Sequence, residues 1–382
     1  MRMRSIVAGI ALMQLAVFSA QAQTGPVNIA TTAVPFLRIS PDARAGGMGD
    51  VGIATAPDVN AGYWNLAKTP FIANNTSVAL TYTPWLKDLG LNDVYLASLT
   101  AFHKLDDEQA ISANVRYFSL GNIQFTDISG NTLSSFNPRE FGIDFGYSRK
   151  LNDQLSIGVA LRYIYSSLAN GDPNNSGVVY KAGTSVAGDI SLFHTSGTSD
   201  GSGLNWGITL SNLGAKIGYT NDAQNKDFIP ANLGAGICYT TVFDESSKLS
   251  FGLDVNKLLV PVAPTLSGNT SQDSANIADY RTQSVMKSWL KSFNDGTGVL
   301  SSFQASLGAE YAYNNQFFVR AGYFYEDKNR GNRKYFTGGV GFKYDVYTIN
   351  FSYLVPSGNG ITRNPLSNTI RVGIAFDLDK KQ

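Results

Sequence analysis

An all-β fold is what the sequence predicts: a transmembrane antiparallel β-barrel of about 14 strands, its lumen filled by an N-terminal plug segment. Three observations point there. Charged residues make up 15% of the chain, against about 25% in ordinary globular proteins. Past the N-terminal leader, no stretch has the roughly 18 uninterrupted apolar residues of a membrane helix. From Ser77 onward apolar residues instead recur with a period of two, in segments of about ten residues with Tyr and Phe crowding their ends.

Residues 1–22 read as a secretory signal peptide. Arg2 and Arg4 precede an apolar run from Ile6 to Phe18, and Ala20-Gln21-Ala22 supplies a small-x-small cleavage site. The run is shorter than the roughly 20 residues of a spanning helix, so the mature chain is expected to begin at Gln23 and to be exported to the outer membrane. The single cysteine, Cys238, cannot form an internal disulfide. A net charge of +1 gives no basis for a nucleic-acid partner.

Residues 23–75 form the expected periplasmic lead-in and plug. The stretch from Phe36 to Ala67, FLRISPDARAGGMGDVGIATAPDVNAGYWNLA, sets Gly46, Gly47, Gly49 and Gly52 among small residues and closes on Tyr63, Trp64 and Asn65. So much glycine suits neither a helix nor a central strand. It suits a compact irregular segment whose backbone presses against surrounding walls, anchored by its Tyr-Trp-Asn end. The plug residues expected on this basis are Arg44, Gly46, Gly47, Gly49, Asp50, Tyr63, Trp64 and Asn65.

Residues 76–382 are the expected barrel. In LSIGVALRYIYSS, Leu155, Ile157, Val159, Leu161, Tyr163 and Tyr165 point one way, while Ser156, Gly158, Ala160 and Arg162 point the other. In NTIRVGIAFDLD, Ile370, Val372, Ile374 and Phe376 oppose Arg371, Gly373, Ala375 and Asp377. Strands are expected near 76–84, 92–104, 107–121, 138–150, 153–168, 183–196, 203–213, 228–243, 247–259, 302–313, 316–326, 334–344, 346–354 and 368–379. Their connections alternate in length, with tight turns at Lys104 to Asp107, Lys150 to Asp153, Asp244 to Ser247, Asn314-Asn315 and Asp345. Outer-membrane barrels have short periplasmic turns and longer outer loops, so this parity puts both termini and the plug entrance on the periplasmic side. Such a barrel is wider than the roughly eight-strand size that side chains alone can fill.

The longest connection, from Val260 to Ser301, falls in an outer position. Within it Ile277, Arg281, Val285, Trp289 and Phe293 stand at i+4 steps, with Met286 and Leu290 beside them and Lys287 and Lys291 on another face. One amphipathic helix near 275–294 is expected, covering the barrel mouth or docking a partner. The polar loops Asn122 to Asn137 and Ala169 to Ala182 would frame the same rim.

Several short patterns imitate chemical motifs without their setting. Gly47, Gly49 and Gly52 satisfy GxGxxG, yet no strand precedes them. Gly197, Ser199 and Gly201 satisfy GxSxG in a polar turn rather than a strand-to-helix elbow. Asp172, Asn174, Ser176 and Gly177 open like a calcium loop, but Gly183 stands where a bidentate Glu is needed. Cys238 has no Cys or His at metal-ligand spacing. His103 and His194 lie in strand patterns that account for them as lumenal or girdle residues. No catalytic residue, cofactor or metal site is expected.

The run LRISPDARAGGMGDVGIATAPDVNAGYWNLAK, followed by SVALTYTPWLKDL, ISANVRYFSLGNIQFTD and a closing NPLSNTIRVGIAFDL, resembles the PorV family, outer-membrane proteins of the type IX secretion system of Bacteroidetes and relatives of the FadL fatty-acid transport barrels. The family usually reads YWNPA where this chain has Leu66 after Asn65. The resemblance implies a non-enzymatic carrier. It would meet folded cargo at the type IX translocon barrel, bind the cargo's conserved C-terminal signal domain on the outer face, and pass it to the surface attachment complex. Outer-membrane lipid would surround it. Trp289, Leu290 and Phe293 are the expected cargo contacts, on the strength of their apolar stripe. The principal alternative is FadL-like uptake of hydrophobic small molecules, which predicts an apolar lumenal pocket near the plug and a lateral gap in one strand. A lipid A deacylase would need a histidine and a nucleophile converging at one membrane-facing site.

Overall fold

The computed structural model describes residues 29–379, apart from 128, 174–176, 198–200, 223–225, 295–297, 357–365 and 367. The leader, with its cleavage site, lies outside the described residues, as do Asn174, Ser176 and Ser199 of the two motif-like turns.

Fourteen strands close into one antiparallel barrel. In chain order they are Thr76–Pro84, Val94–Lys104, Gln109–Leu120, Arg139–Lys150, Leu155–Ser167, Gly183–Thr195, Gly203–Gly214, Asn232–Val242, Ser247–Leu258, Phe303–Tyr313, Phe317–Glu326, Lys334–Tyr344, Tyr347–Pro356 and Ile370–Asp377. Each pairs with its sequence neighbours, and the first closes onto the last in a register that sets Ser77 opposite Asp377 and Tyr82 opposite Val372. The strand ends fall within a few residues of those expected from the alternation. Closure leaves the barrel no free edge, the condition for crossing a hydrocarbon layer in strands. Among the described residues, no helix is long and apolar enough to cross a membrane.

The period of two sorts the side chains as expected. In the fifth strand Ile157, Val159, Leu161 and Tyr163 are exposed, while Ser156, Arg162, Ile164 and Ser166 are buried. In the last strand Val372 faces out and Arg371 is buried. The outer surface is thus an apolar belt and the lumenal face is largely polar or small, the arrangement of a membrane barrel. The tight turns use residues that tolerate the left-handed region: Asn314, Asn315 and Asp345 have φ of 53°, 53° and 51°.

Residues 29–75 occupy the lumen rather than lying beneath it. Val34, Phe36 and Leu37 are buried in an apolar cluster with Trp85, Val94, Leu96, Phe118, Ile217 and Ile229, all at the long-connection end of the barrel. There the Ala33 N–H donates to the Phe228 carbonyl at 3.0 Å. The chain then descends, and Val59 and Ile72 pack with Ala79 and Phe102 near the start of the first strand. The expectation that the plug enters from the periplasmic end is therefore corrected. The barrel strands begin and end there, but the described N-terminal residues lie at the opposite mouth. Counting loop lengths registers only strand crossings, and this segment adds one more passage through the lumen.

The long outer connection also differs from expectation. Its helical part is two helices, Thr270–Thr282 and Val285–Lys291. Gln283 and Ser284 are extended, and Ser284 caps the second helix by accepting from the Lys287 N–H. A break at this point interrupts the i+4 stripe between Arg281 and Val285. The single amphipathic helix near 275–294 is corrected accordingly.

Candidate functional site: the lumenal segment and the outer rim

The lumenal segment is held at three levels by polar contacts. Near the outer mouth, Arg38 donates to Gln304 at 2.5 Å, Gln304 donates to Glu326 at 2.5 Å, and Arg333 pairs with Glu326 at 2.8 Å. Just below them, at the outer end of the twelfth strand, the Tyr335 hydroxyl donates to Asp50 at 2.7 Å, and at mid-height Asp254 accepts the Gly52 and Ile53 N–H groups at 2.7 and 2.9 Å. Nearby, the fully buried Lys68 ammonium donates to the Gly52 carbonyl at 2.7 Å. Toward the periplasmic end, Arg44 reaches Glu310 and Asp58, and Glu310 also accepts from Arg320 at 2.6 Å. Buried charges are tolerable only when paired and hydrogen-bonded in this way.

Within the segment Asp42 ties the fold of the loop together. Its carboxylate accepts from the Arg44 and Ala45 N–H groups, from the Asn60 amide at 3.1 Å and from the Trp64 indole at 3.2 Å. This caps the short turn Ala43–Gly47 and binds the Tyr-Trp end to the glycine-rich start. Tyr63 meets Trp64 edge to face at 4.8 Å and carries the Arg116 guanidinium over its ring at 5.0 Å.

The glycines are where the segment touches the wall. A Cβ at Gly46 would lie 2.5 Å from the Arg371 guanidinium, and one at Gly47 would lie 3.0 Å from the Gly339 backbone. Gly49 has φ of 71° and lies against Tyr323 and the Leu307 carbonyl, so conformation and space both demand glycine there. Arg44, Gly46, Gly47, Gly49, Asp50, Tyr63, Trp64 and Asn65 are thus all brought together inside the barrel.

One lumenal cluster escaped sequence reading. Asp144 pairs with Arg116 at 3.2 Å and with Arg162 at 2.5 Å, and Arg162 continues to Asp189 at 2.8 Å. Asn212 takes a further Arg162 contact and donates its N–H to Asp189 at 2.7 Å. Asp189 lies on the inward phase of the sixth strand, and opposite it the seventh strand carries an extra residue, a β-bulge at Ser211-Asn212 with Asn212 at φ of 58° that brings Asn212 into the cluster. The inward phase of Arg162 in its strand was the available signal; the bulge had none. Beside this cluster lies a cavity of about 100 Å³ whose lining includes Arg38, Asp50, Arg116, Arg162, Asp189 and Arg333. Apart from the bulge, the wall ladder runs around the barrel without interruption.

At the outer rim the three residues expected as contacts separate. Leu290 is 78% exposed, whereas Trp289 and Phe293 are half-buried. Phe293 lies under the Lys257 ammonium at 4.9 Å, and that ammonium also donates to the Ser292 carbonyl at 2.9 Å. Lys257 therefore fastens the second helix to the ninth strand. Leu266 and Met286, each at 72%, Val299, at 48%, and Leu300, at 87%, join Leu290 as exposed apolar residues of this connection.

The family model of the type IX secretion system protein PorV matches residues 20–265. The chain belongs to the PorV family. No curated protein matches it. Among solved structures, the toluene transporter TbuX of Ralstonia pickettii is 12% identical with a TM-score of 0.51, the match covering 87% of this chain and 97% of that one. The monoaromatic hydrocarbon channel CymD is 12% identical with a TM-score of 0.53, over 90% and 99% of the two chains. At that identity the likeness speaks for the shared barrel fold. PorV membership makes this barrel an outer-membrane component of the type IX secretion system, a part of secretion or transport.

The departure from the PorV-family YWNPA motif has a local explanation. Asn65 accepts the Ala67 N–H at 3.1 Å, opening a turn over Leu66–Phe71, and its amide donates to the Ile53 and Leu192 carbonyls at 3.1 and 3.0 Å. The Leu66 side chain is buried over Gly146, where an added Cβ would stand 2.5 Å from it. A cap and a packed side chain fix the turn that proline would otherwise preset.

Proposed function

We propose that this PorV-family barrel is a plugged, non-catalytic carrier. It binds the conserved C-terminal signal domain of cargo on its outer face at the translocon barrel and hands the cargo to the surface attachment complex. Residues 1–22 would be removed on export, residues 23–75 would seal the lumen, and residues 76–382 would form the membrane barrel with its outer-loop helices. No cofactor enters this reading. The observation that carries it is the lumenal segment itself: bound to the wall from Arg38 to Ala67, it leaves the outer connections as the surface open to a protein partner. Exposed Leu290, with half-buried Trp289 and Phe293, supports a cargo contact there.

The structural neighbours are transporters and channels of aromatic hydrocarbons, so uptake of a hydrophobic solute is the competing activity. The cavity of about 100 Å³ beside Arg116 and Arg162 argues against it. Four guanidiniums and two carboxylates in its lining would lose solvation against an apolar solute without gaining a partner, at a cost of several kcal/mol.

The test is deletion of the gene, comparing periplasmic, surface and culture-medium proteomes, followed by complementation with a triple Ser variant at Trp289, Leu290 and Phe293. Proteins bearing the C-terminal signal domain should accumulate in the periplasm of the deletion strain, and hydrophobic-compound uptake should be unchanged. Normal export with reduced uptake would replace this reading by a transporter. Parent-level cargo binding by the triple variant would remove those three residues from the contact.

A further inference from the structure

The lipid-facing wall is indented across the eighth to twelfth strands. The register there aligns outward residues in two neighbouring rows: Ile237, Leu253, Leu307, Tyr323 and Phe336 in one, and Tyr239, Phe251, Ala309 and Ala321 in the next. Between the rows the wall shows Gly252, Gly308 and Gly322, and over Ala309 and Ala321 the second row loses its height. The result is a groove of about 620 Å³ lined by these residues, with Leu204 at one end.

The groove has a cause on the other face of the wall. A Cβ at Gly252 would lie 2.6 Å from the Val51 side chain, and Cβ atoms at Gly308 and Gly322 would strike the Met48 and Gly49 backbone. The lumenal segment thus demands glycine inside, and the alanines outside leave the wall there little more than one layer of backbone thick.

We propose that this groove binds one acyl chain of an outer-membrane lipid. Its lining is apolar, and it lies at mid-strand in the belt that meets hydrocarbon. Spanning about four strand spacings, it is roughly 20 Å long, and its rows stand about 7 Å apart. That admits a single extended hydrocarbon chain and excludes an α-helix about 10 Å across. Left empty, the floor would forfeit dispersion contacts that the surrounding bilayer can supply. The site is independent of any cargo-binding role and rests only on the barrel's place in the membrane.

The test uses the full chain in vesicles of phosphatidylethanolamine doped with a phospholipid carrying a photoreactive acyl chain. After irradiation, cross-linked residues are mapped by mass spectrometry. Labelling should concentrate on Leu253, Leu307 and Tyr323 over Phe145 and Leu161 on the opposite wall. It should fall several-fold in Ala309→Phe/Ala321→Phe, whose new rings fill the groove from the lipid side. Should the double variant fail to show the heat-modifiable mobility of a folded barrel, Ala321→Leu serves in its place. Uniform labelling around the belt, or labelling unchanged by filling, overturns the proposal. So does filling that leaves lipid labelling intact while a co-purifying membrane protein is lost, because the occupant would then be a protein.

Discussion

Arg44 of the lumenal segment grips Glu310 of the tenth strand with two parallel hydrogen bonds, Nε to Oε2 at 3.0 Å and Nη2 to Oε1 at 2.8 Å. Arg320 donates to the same carboxylate at 2.6 Å, so one buried acid holds two guanidiniums. Glu310→Ala would leave both without it, and removing one partner of a buried ion pair costs about 3–5 kcal/mol. The expected outcome is a barrel that still forms but loses hold of its segment, measured as raised and fluctuating conductance in planar bilayers and as earlier loss of heat-modifiable mobility. Parent conductance and thermal stability would show that this pair does not secure the segment.

The close approach of Gly49 to the wall gives a second, purely steric lever. Gly322→Val would push against the Met48–Gly49 backbone from the wall side, and overpacking of this kind costs typically 1–3 kcal/mol. Gly49→Ala would add the penalty of a non-glycine residue at φ of 71°, about 1–2 kcal/mol. Both should speed proteolysis of the segment in the folded barrel. A variant such as Gly130→Ala, at an exposed turn with nothing nearby, should not.

These two contacts also mark how far the sequence could be read. The glycine run announced close backbone packing because few other roles tolerate so many glycines, and alternation announced the strands because the two faces meet hydrocarbon and polar lumen. The direction of the segment was not legible. Nothing in the order of residues 29–40 says that Val34, Phe36 and Leu37 pair with Trp85 and Ile229 at the outer mouth, because that pairing links positions far apart in sequence. The bulge at Ser211-Asn212 was hidden for a similar reason: a one-residue register shift is decided by the partner strand. The helix break at Ser284 could have been seen, since Ser is a preferred cap, but the i+4 apolar spacing ran through it and prevailed.

In the outer connection, Asp273 accepts from the Ser267 N–H and hydroxyl and from the Gly268 N–H, at 2.8, 2.8 and 3.1 Å. These donors, the Ser267 N–H first, hold its carboxyl below the usual carboxylate range. A lowered folded-state value means that the stabilisation is present above the unfolded pKa and is lost as pH falls through the folded one. Protease nicking between 262 and 270 should therefore stay slow at neutral and mildly acidic pH and rise only in stronger acid. Asp273→Asn should nick faster at neutral pH, with its pH dependence flattened. An unchanged acid profile in that variant would assign the transition to another group.

Leu66 and Gly146 offer a double-mutant cycle that separates packing from turn preference. Gly146→Ala places a methyl 2.5 Å from Leu66 and 2.9 Å from the Ser112 hydroxyl, which can rotate away more easily than the buried leucine can move. On its own it should destabilise by about 1–3 kcal/mol through overpacking. Leu66→Pro restores the usual PorV-family residue at the first position of the turn, where proline's fixed φ suits a helix start, yet it vacates the space above Gly146 and should also destabilise. Together the alanine methyl partly refills what the leucine leaves. The double variant should then be more stable than the sum of the single effects predicts, by about 0.5–3 kcal/mol for residues in direct contact. Additive losses in urea titrations of refolded barrel would mean that Leu66 and Gly146 do not share this space, and that the turn is fixed by the Asn65 cap alone.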